Sequence, residues 1–479
     1  MADKAPSIGG YLLYLLPSIV QGGVGLALVP VTTHYLDPRD FGVYALLIAV
    51  AMPVRAFAAT GAPWVIGGNY FSTDEPERRA MLFNVLAFEL ALRGVLVLLL
   101  YVMAEPALRL LVPDYRPEYL HYLHIVLAAT LAGSLWPTVS FLMTVRNHPR
   151  LFALYSLVQI LVNAAATVVF LAVFGWGVES LFAAMLASAG VSVVLELLYV
   201  RRQVDFSPQR KWLREVVDTG LKATPGGLVE MASNMTDRMA IQWRGGISTL
   251  GIYSHSQQYH SIFKMLTAAV SNTLTNISLR TYSRDLDPAP IARLLTAWYG
   301  MLALIGVGVA LFSDDVIALL THGKFTGAAP LVQIWYLSVF SVSYGIPCAN
   351  FLMARKRNRI LMYTQLLPTL AGIGLVLAGV YAFGVFGAAW AILLTNVAIQ
   401  VSRRLVAHRF GYHGVAERRF IEALLLYGVI WAADNTLALG WRAEAAACLV
   451  LVPATVMRFR LMGELKHMLS AWRGRFPTA

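Results

Sequence analysis

The chain has 479 residues, of which 58% are hydrophobic and 13% are charged, and its mean hydropathy is +0.63. Soluble domains carry roughly 25% charged and 45–50% apolar residues, so this composition excludes a soluble globular protein and indicates one that lies in a bilayer. The net charge of +12 does not indicate nucleic-acid binding, because the basic residues occupy short loops between apolar segments, where they set topology.

Apolar segments long enough to span a membrane recur from one end of the chain to the other. We predict fourteen spanning helices, at about 11–31, 42–67, 81–103, 120–145, 151–174, 178–200, 220–243, 251–279, 294–312, 330–354, 360–382, 386–402, 420–436 and 441–457. The predicted fold class is an all-α polytopic membrane protein. Cys348 and Cys448 lie in apolar segments, so we expect small buried residues and neither a disulfide nor a metal site.

The basic residues predict the orientation of the chain. An even number of spanning helices places both termini on the same side of the membrane. With the N-terminus in the cytoplasm, most of the 38 Lys and Arg residues fall in cytoplasmic segments, among them 201–214, 355–359 and 403–419. Few fall outside, Arg39 and Lys324 among them. Because cytoplasmic loops are rich in Lys and Arg, we predict cytoplasmic termini.

The sequence contains an internal repeat. FGVYALLIAVAMPVRAF aligns with LGIYSHSQQYHSIFKML, which pairs Gly42 with Gly251 and Arg55 with Lys264. A second pair of segments, PTVSFLMTVR and PCANFLMARK, follows in the same order with nearly the same spacing. Each copy covers six predicted helices, and six is an even number, so both copies insert with the same orientation as parallel repeats.

The repeat predicts a domain organisation of two six-helix lobes around a central cavity, with two extra C-terminal helices. The predicted parts are an N-lobe with helices 1–6 at 1–200, a cytoplasmic amphipathic linker at 201–219, a C-lobe with helices 7–12 at 220–405, and helices 13 and 14 with a basic cytoplasmic tail at 406–479.

One predicted helix carries a polar stripe. Its polar residues recur mostly at steps of three and four and therefore share a face: Tyr253, Gln257, His260, Ser261, Lys264, Ser271 and Thr275. A lysine at mid-span costs about 2.5–3.5 kcal/mol on insertion scales, so this face is expected to line a polar space inside the bundle.

Five cations lie within predicted spans: Arg55, Arg93, Lys222, Arg238 and Lys264. Arg93 follows Glu89 by four residues, a spacing that favours an internal ion pair at least as strongly as a ligand role. Arg238 adjoins Asp237, which is typical of a structural network, and Lys222 lies at a helix end. Arg55 and Lys264 have no acid within helical reach in the sequence, so for these two we predict a position in the cavity.

The segment LYLLPSIVQGGVGLALVPVTTHYLDPRDFGVYAL and its second-half echo NMTDRMAIQWRGGISTLGIYS resemble bacterial polysaccharide flippases, the Wzx-like branch of the multidrug/oligosaccharidyl-lipid/polysaccharide exporter superfamily. The resemblance covers the whole chain. The related peptidoglycan-precursor flippases carry arginines in the first helix, whereas the polar residues here are Ser18, Gln21, Gly22 and Gly25, which argues against that branch.

The resemblance implies translocation of an undecaprenyl-pyrophosphate-linked oligosaccharide from the cytoplasmic to the outer leaflet of a bacterial inner membrane. Its partners would be this lipid-linked substrate, membrane lipid, a polysaccharide polymerase and other assembly proteins. On this basis Arg55 and Lys264 are expected to hold the pyrophosphate. Further predicted substrate-binding residues are Arg238, Arg93, Gln21, Gln257, Tyr253, Asn234, Asn272 and His260. His255 and His260 would either take up protons or simply line the cavity.

Two other classes of protein stay open at this point. A drug/cation antiporter of the same fold would use acidic cavity residues, of which Glu230 and Asp237 are candidates, although basic partners outnumber them. A membrane enzyme acting on lipid-linked sugars would place catalytic groups in a large outer loop, but the longest outer loops, at about 104–119 and 313–329, are short. The sequence has no nucleotide-binding loop, no metal-spaced cluster and no nucleophile–base pair, so we expect no enzyme, no cofactor and no nucleic-acid partner.

Overall fold

A computed structural model describes residues 8–57, 61–437 and 441–459 of the chain. Within these ranges it leaves undescribed the side chains of Arg55, Lys222, Glu230 and Asn272, so the predictions on those four side chains lie outside the described residues. Helices and short connections make up the whole of the described part, which contains no strand. The predicted all-α fold class is therefore confirmed.

Nine helices form the first part of the chain. They are α1 Ile8–Tyr35, α2 Pro38–Phe57, α3 Ala62–Asn69, α4 Glu75–Val102, α5 Ala104–Leu111, α6 Pro117–Ala132, α7 Trp136–Val145, α8 Pro149–Val168 with a π-turn at Val169–Val173, and α9 Glu179–Val200. Proline lies in the first turn of α3, α4, α6, α7 and α8, where its missing N–H leaves no hydrogen bond unmade. Asp74 caps α4 by accepting a hydrogen bond from the backbone N–H of Glu77.

Six further helices follow, and two of them are long and bent. They are α10 Arg210–Ser283, α11 Ala289–Leu320, α12 Ala329–Ala354, α13 Asn358–Arg409, α14 Glu417–Leu437 and α15 Trp441–Arg458. α10 bends at Gly246, where φ is 79°, and α13 bends at Gly384, where φ is 62°. A residue with a Cβ rarely adopts such φ values, so glycine lets the chain reverse between two successive spans.

The helix boundaries correct the prediction at two places. The predicted helix 42–67 is divided into α2 and α3, and Gly61 adopts a left-handed conformation just before α3. The predicted helix 120–145 is divided into α6 and α7, because the chain turns after Ala132 ahead of Pro137. Hydropathy reports where a segment is apolar, but it does not report where its backbone turns.

Eight helical stretches of the described part are long and apolar enough to cross a membrane. They are Leu13–Tyr35, Glu75–Val102, Pro117–Val145, Pro149–Val173, Glu179–Val200, Ala289–Leu320, Thr326–Ala354 and Asn358–Arg409. The last of these contains two of the predicted spans, on either side of Gly384. The chain is a multi-pass membrane protein.

The helices pack into two compact units. Unit 1 comprises Met1–Ser254 with Val380–Val385, and unit 2 comprises His255–Gly379 with Phe386–Ala479. A core in unit 1 includes Met81, Leu142 and Trp212. The core of unit 2 includes Trp298 and Tyr336. The predicted lobes were defined by the sequence repeat and divide at 201–219, whereas these units are defined by compactness.

Within unit 1, the first turns of two helical segments cross at a pair of glycines. A Cβ on Gly42 of α2 would collide with the carbonyl oxygen of Ile247, and a Cβ on Gly251 of α10 would collide with the carbonyl oxygen of Pro38. Gly42 and Gly251 are repeat mates, and Pro38 and Ile247 are separated by the same number of residues. The contact is thus reciprocal: each copy of the repeated segment places its glycine against the backbone of the other.

Candidate functional site

The second segment of α10 presents an exposed polar line in unit 2. Ser261 and Lys264 are exposed and Gln257 is half-buried, and these residues follow one another at steps of four and three. The Ser261 hydroxyl donates to the carbonyl oxygen of Gln257 at 3.0 Å. Lys264 lies thirteen residues beyond Gly251 along the helix, roughly 20 Å at 1.5 Å per residue. A cation thus lies far from the start of the helix, beside two hydrogen-bonding side chains.

Another member of the predicted stripe, His260, points into the protein. His260 is buried and stacks on Trp335, with ring centroids 4.9 Å apart and an interplanar angle of 6°. The indole Nε1 of Trp335 donates to Ser256 Oγ at 2.8 Å, which fixes the aromatic surface. Lys264 lies within electrostatic range of His260. The structure therefore brings His260 and Lys264 together, and Trp335 is a contact that the sequence did not reveal.

His255 is also buried in unit 2. Its Nε2 lies 3.4 Å from the Tyr259 hydroxyl, and its ring packs 4.5 Å from the ring of Phe325. The rings of both histidines, His255 and His260, thus pack against aromatic side chains.

Tyr253, Asp237 and Arg238 form a polar cluster in unit 1. The fully buried hydroxyl of Tyr253 donates to Asp237 Oδ2 at 2.7 Å, and Asp237 Oδ1 accepts from the backbone N–H of Arg238 at 2.7 Å. Arg238 Nη1 lies 3.4 Å from the carbonyl oxygen of Asn234 and 3.6 Å from Met52 Sδ. Asn234 itself is exposed. Tyr253 and Asp237 connect the two segments of α10 on either side of its bend.

The ion pair predicted for Arg93 is present in unit 1. Arg93 Nη2 lies 2.7 Å from Glu89 Oε1, and the side chains are 12% and 2% exposed. Glu89 Oε2 accepts from Thr138 Oγ1 at 2.6 Å, and Arg93 also donates to the carbonyl oxygen of Ser134. The two charges neutralise each other among hydrogen-bonded neighbours.

A second buried carboxylate lies near this pair and was not singled out from the sequence. Glu196 of α9 is 1% exposed and is within electrostatic range of Glu89 and Arg93. One carboxyl oxygen accepts from Ser192, which in turn accepts from Gln159. The other, Oε2, has no hydrogen-bond partner among the described residues. An acid inside an otherwise apolar predicted span was the available signal, because such residues are expensive to insert.

The remaining predicted residues are separate from these clusters. Gln21 is exposed on α1. Arg55 belongs to α2, but its side chain is not described. Among the described residues, no group of three or more His, Cys, Asp or Glu side chains is placed to hold a metal ion. Both cysteines are free thiols: Cys348 is buried, whereas Cys448, which was also expected to be buried, is half-buried.

The sequence profile of a family described as polysaccharide biosynthesis proteins matches residues 32–330, more than half of the chain. The chain belongs to this family. The resemblance to polysaccharide flippases is thereby confirmed at the level of the family. None of the curated proteins compared matches this sequence.

Several solved structures share the fold of this polysaccharide biosynthesis protein. "Lipid II flippase MurJ, inward closed conformation" matches with a TM-score of 0.73 at 12% identity, covering 95% of this chain and 100% of that one. An inward-facing multidrug resistance MATE family transporter of the MOP superfamily matches with a TM-score of 0.68 at 17% identity, covering 83% and 97%.

A MOP superfamily transporter from Pyrococcus furiosus matches with a TM-score of 0.57 at 16% identity, covering 85% of this chain and 98% of that one. The binding pocket of that transporter is described as having reverse polarity, which suggests a different function for it. At these identities the matches establish the fold, which is that of MOP superfamily transporters.

Proposed function

We propose that this protein is a flippase that moves an anionic undecaprenyl-pyrophosphate-linked oligosaccharide from the cytoplasmic to the outer leaflet by alternating access. The product would serve cell-surface polysaccharide biosynthesis, such as that of O-antigen or lipopolysaccharide. Support comes from the family match to polysaccharide biosynthesis proteins and from a fold shared with a lipid II flippase. The proposed location is the bacterial inner membrane with cytoplasmic termini, in line with the bias of Lys and Arg towards one set of loops.

The observation that carries this proposal is the polar line formed by half-buried Gln257 and exposed Ser261 and Lys264. A pyrophosphate carries at least two negative charges, and moving it through a medium of low dielectric constant costs several kcal/mol per charge unless it is paired. The Lys264 ammonium brings a positive charge and N–H donors that suit phosphate oxygens. The amide and hydroxyl beside it suit the hydroxyl groups of a sugar.

The same geometry weakens the antiporter alternative. Asp237, one of the acids that a cation antiporter would use, is buried and accepts hydrogen bonds from Tyr253 and from the backbone of Arg238. The cation Lys264, by contrast, is exposed. An exposed cation and an enclosed acid suit an anionic substrate.

Substitutions at Lys264 test the proposal. Lys264→Arg keeps the charge and should retain much of the transport, whereas Lys264→Ala should lose most of it, and Lys264→Glu should lose more because it repels phosphate. Arg55→Ala is expected to act in the same direction, as the repeat mate of Lys264. The measurement is the surface glycan made by cells that lack the native gene and carry each variant, normalised to the amount of protein in the membrane.

The matched control is Arg280→Ala, which removes an exposed cation from the end of the same helix and should leave glycan unchanged. Normal glycan at normal abundance from Lys264→Ala and Arg55→Ala, alone and combined, would show that these cations do not bind the substrate.

A further inference from the structure

Four arginines from three separate segments converge on a cavity in unit 1, at the ends of its helices. The cavity has a volume of about 160 Å³ and is lined by Tyr70, Glu75, Arg78, Arg79, Leu82, Arg146, Arg202 and Gln203. Tyr70 follows α3, Glu75 to Leu82 belong to the first turns of α4, Arg146 follows α7, and Arg202 and Gln203 follow α9. We call it the arginine pocket.

The charges of the arginine pocket are unbalanced. Arg79 is paired with Glu75 at 2.8 Å and lies 3.6 Å from Asp205. In the described part of the chain, Arg78, Arg146 and Arg202 have no carboxylate within 4.0 Å. Like charges held together in one concavity repel one another, and a bound anion would relieve that repulsion.

Donors are already oriented around the space. Arg78 is held by a hydrogen bond from Nη2 to the carbonyl oxygen of Thr73 at 2.8 Å, and its guanidinium lies 4.7 Å from the centre of the Tyr70 ring. Its Nε is buried and has no partner among the described residues. Arg146 lies within electrostatic range of Tyr199. Burial first, and then the positive charge of Arg146, lower the pKa of the neighbouring His148 imidazole.

Membrane topology alone does not explain this convergence. Arg150, in the first turn of α8, and Arg201 lie within four residues of Arg146 and Arg202, and all four side chains are exposed, yet Arg150 and Arg201 are outside the pocket. Such residues satisfy the preference of cytoplasmic loops for positive charge wherever they point. The pocket arginines instead point into one shared space.

We propose that the arginine pocket binds a phosphate group. Guanidinium forks donate paired hydrogen bonds to phosphate oxygens, which makes arginine the favoured residue for this chemistry. A water molecule occupies about 30 Å³ in the liquid, so the pocket has room for roughly five waters, which suits a phosphate or diphosphate and is too small for an oligosaccharide. The phosphate would come either from an anionic phospholipid headgroup or from the diphosphate of a lipid-linked sugar. This inference does not rest on the proposed function.

The test measures binding of inorganic pyrophosphate to the purified full chain in neutral detergent by titration calorimetry. The pocket variant is Arg146→Gln with Arg202→Gln. The matched control is Arg150→Gln with Arg201→Gln, which removes the same net charge from positions within four residues of the pocket pair. Each charged hydrogen bond contributes about 1.5–3 kcal/mol, so losing one from each of the two arginines should weaken pyrophosphate binding at least about 100-fold, while the control should bind like the native chain.

A second variant guards against misfolding. Arg146→Lys with Arg202→Lys keeps the charge but loses the fork geometry, and it should bind more weakly than the native chain but more tightly than the glutamine variant. Equal affinity in the pocket and control variants, or no saturable binding by the native chain, would overturn the proposal.

The source of the phosphate is distinguished in nanodiscs. Pyrophosphate binding is compared between discs of phosphatidylcholine alone and discs that also contain phosphatidylglycerol. If pyrophosphate binds more weakly to the native chain in discs with phosphatidylglycerol, and the pocket variant shows no such difference, the phospholipid headgroup is the occupant. Equal binding in both identifies the diphosphate. Neither binding measurement involves translocation. A negative result in them would therefore overturn the phosphate site without bearing on the glycan assay, which tests the proposed function separately.

Discussion

Removing the Glu89 carboxylate should destabilise the protein through the cation that it leaves behind. Arg93 is 12% exposed and would retain the Ser134 carbonyl oxygen but lose its paired carboxylate. Breaking a buried ion pair from one side costs about 3–5 kcal/mol, and an arginine at mid-bilayer costs about 2.5–3.5 kcal/mol. Glu89→Gln keeps an acceptor for Thr138, so we expect about 3 kcal/mol for this variant.

The reverse change should cost less. Arg93→Met leaves a buried carboxylate, which can take up a proton, so we expect about 2 kcal/mol. The double variant removes both charges together and should also cost about 2 kcal/mol, well below the roughly 5 kcal/mol that independent sites would give. The interaction energy is then about 3 kcal/mol, at the upper end for residues in contact.

The assay is unfolding of the purified variants in mixed micelles of increasing dodecyl sulfate content. Glu105 and Arg109 supply the matched control, because they form an ion pair of the same spacing at 2.6 Å with side chains 47% and 65% exposed. Their cycle should give no more than about 0.5 kcal/mol. Equal interaction energies for the two pairs would refute the reasoning from burial. A stable Arg93→Met variant that makes no surface glycan would instead place Arg93 among the substrate ligands.

Two further predictions concern the topology and the glycine crossing. With both native cysteines replaced by serine, a cysteine at Arg210 should react with an impermeant thiol reagent only in inverted vesicles, and one at Lys324 only in intact cells; labelling of position 210 from outside would contradict the orientation. Gly42→Ala and Gly251→Ala should each cost about 2 kcal/mol in the unfolding assay, because overpacking costs up to about 3 kcal/mol while helix propensity returns about 1 kcal/mol. The double variant should cost little more, and Gly190→Ala, whose Cβ would meet nothing within 4 Å, should be neutral or stabilising.

Much of the fold followed from the sequence because lipid imposes strong rules on it. Apolar length, loop charge and an ordered repeat predicted an all-helical multi-pass protein, and the crossing of Gly42 and Gly251 shows two repeat mates in reciprocal contact. The break between α2 and α3 was missed, because an apolar residue is equally acceptable to lipid on either side of a turn.

The candidate site was predictable only where contacts are local. Glu89 and Arg93 lie one helical turn apart, so their spacing was sufficient. His260 and Trp335 come from α10 and α12, and no periodicity connects segments so far apart. The arginine pocket could not be predicted for the same reason. In the sequence its arginines indicate only membrane topology, and the structure shows that their side chains line one space.

The reciprocal glycine crossing also has a consequence for how this protein can change. In a symmetric dimer of two identical chains, one codon specifies both sides of such a contact, and a substitution alters both at once. Here the two sides are encoded separately, so either glycine can be replaced while the other is retained. A methyl group on either one meets backbone atoms, so neither copy can enlarge alone without separating the helices. Other aligned positions of the two copies have already diverged, as Arg55 and Lys264 show.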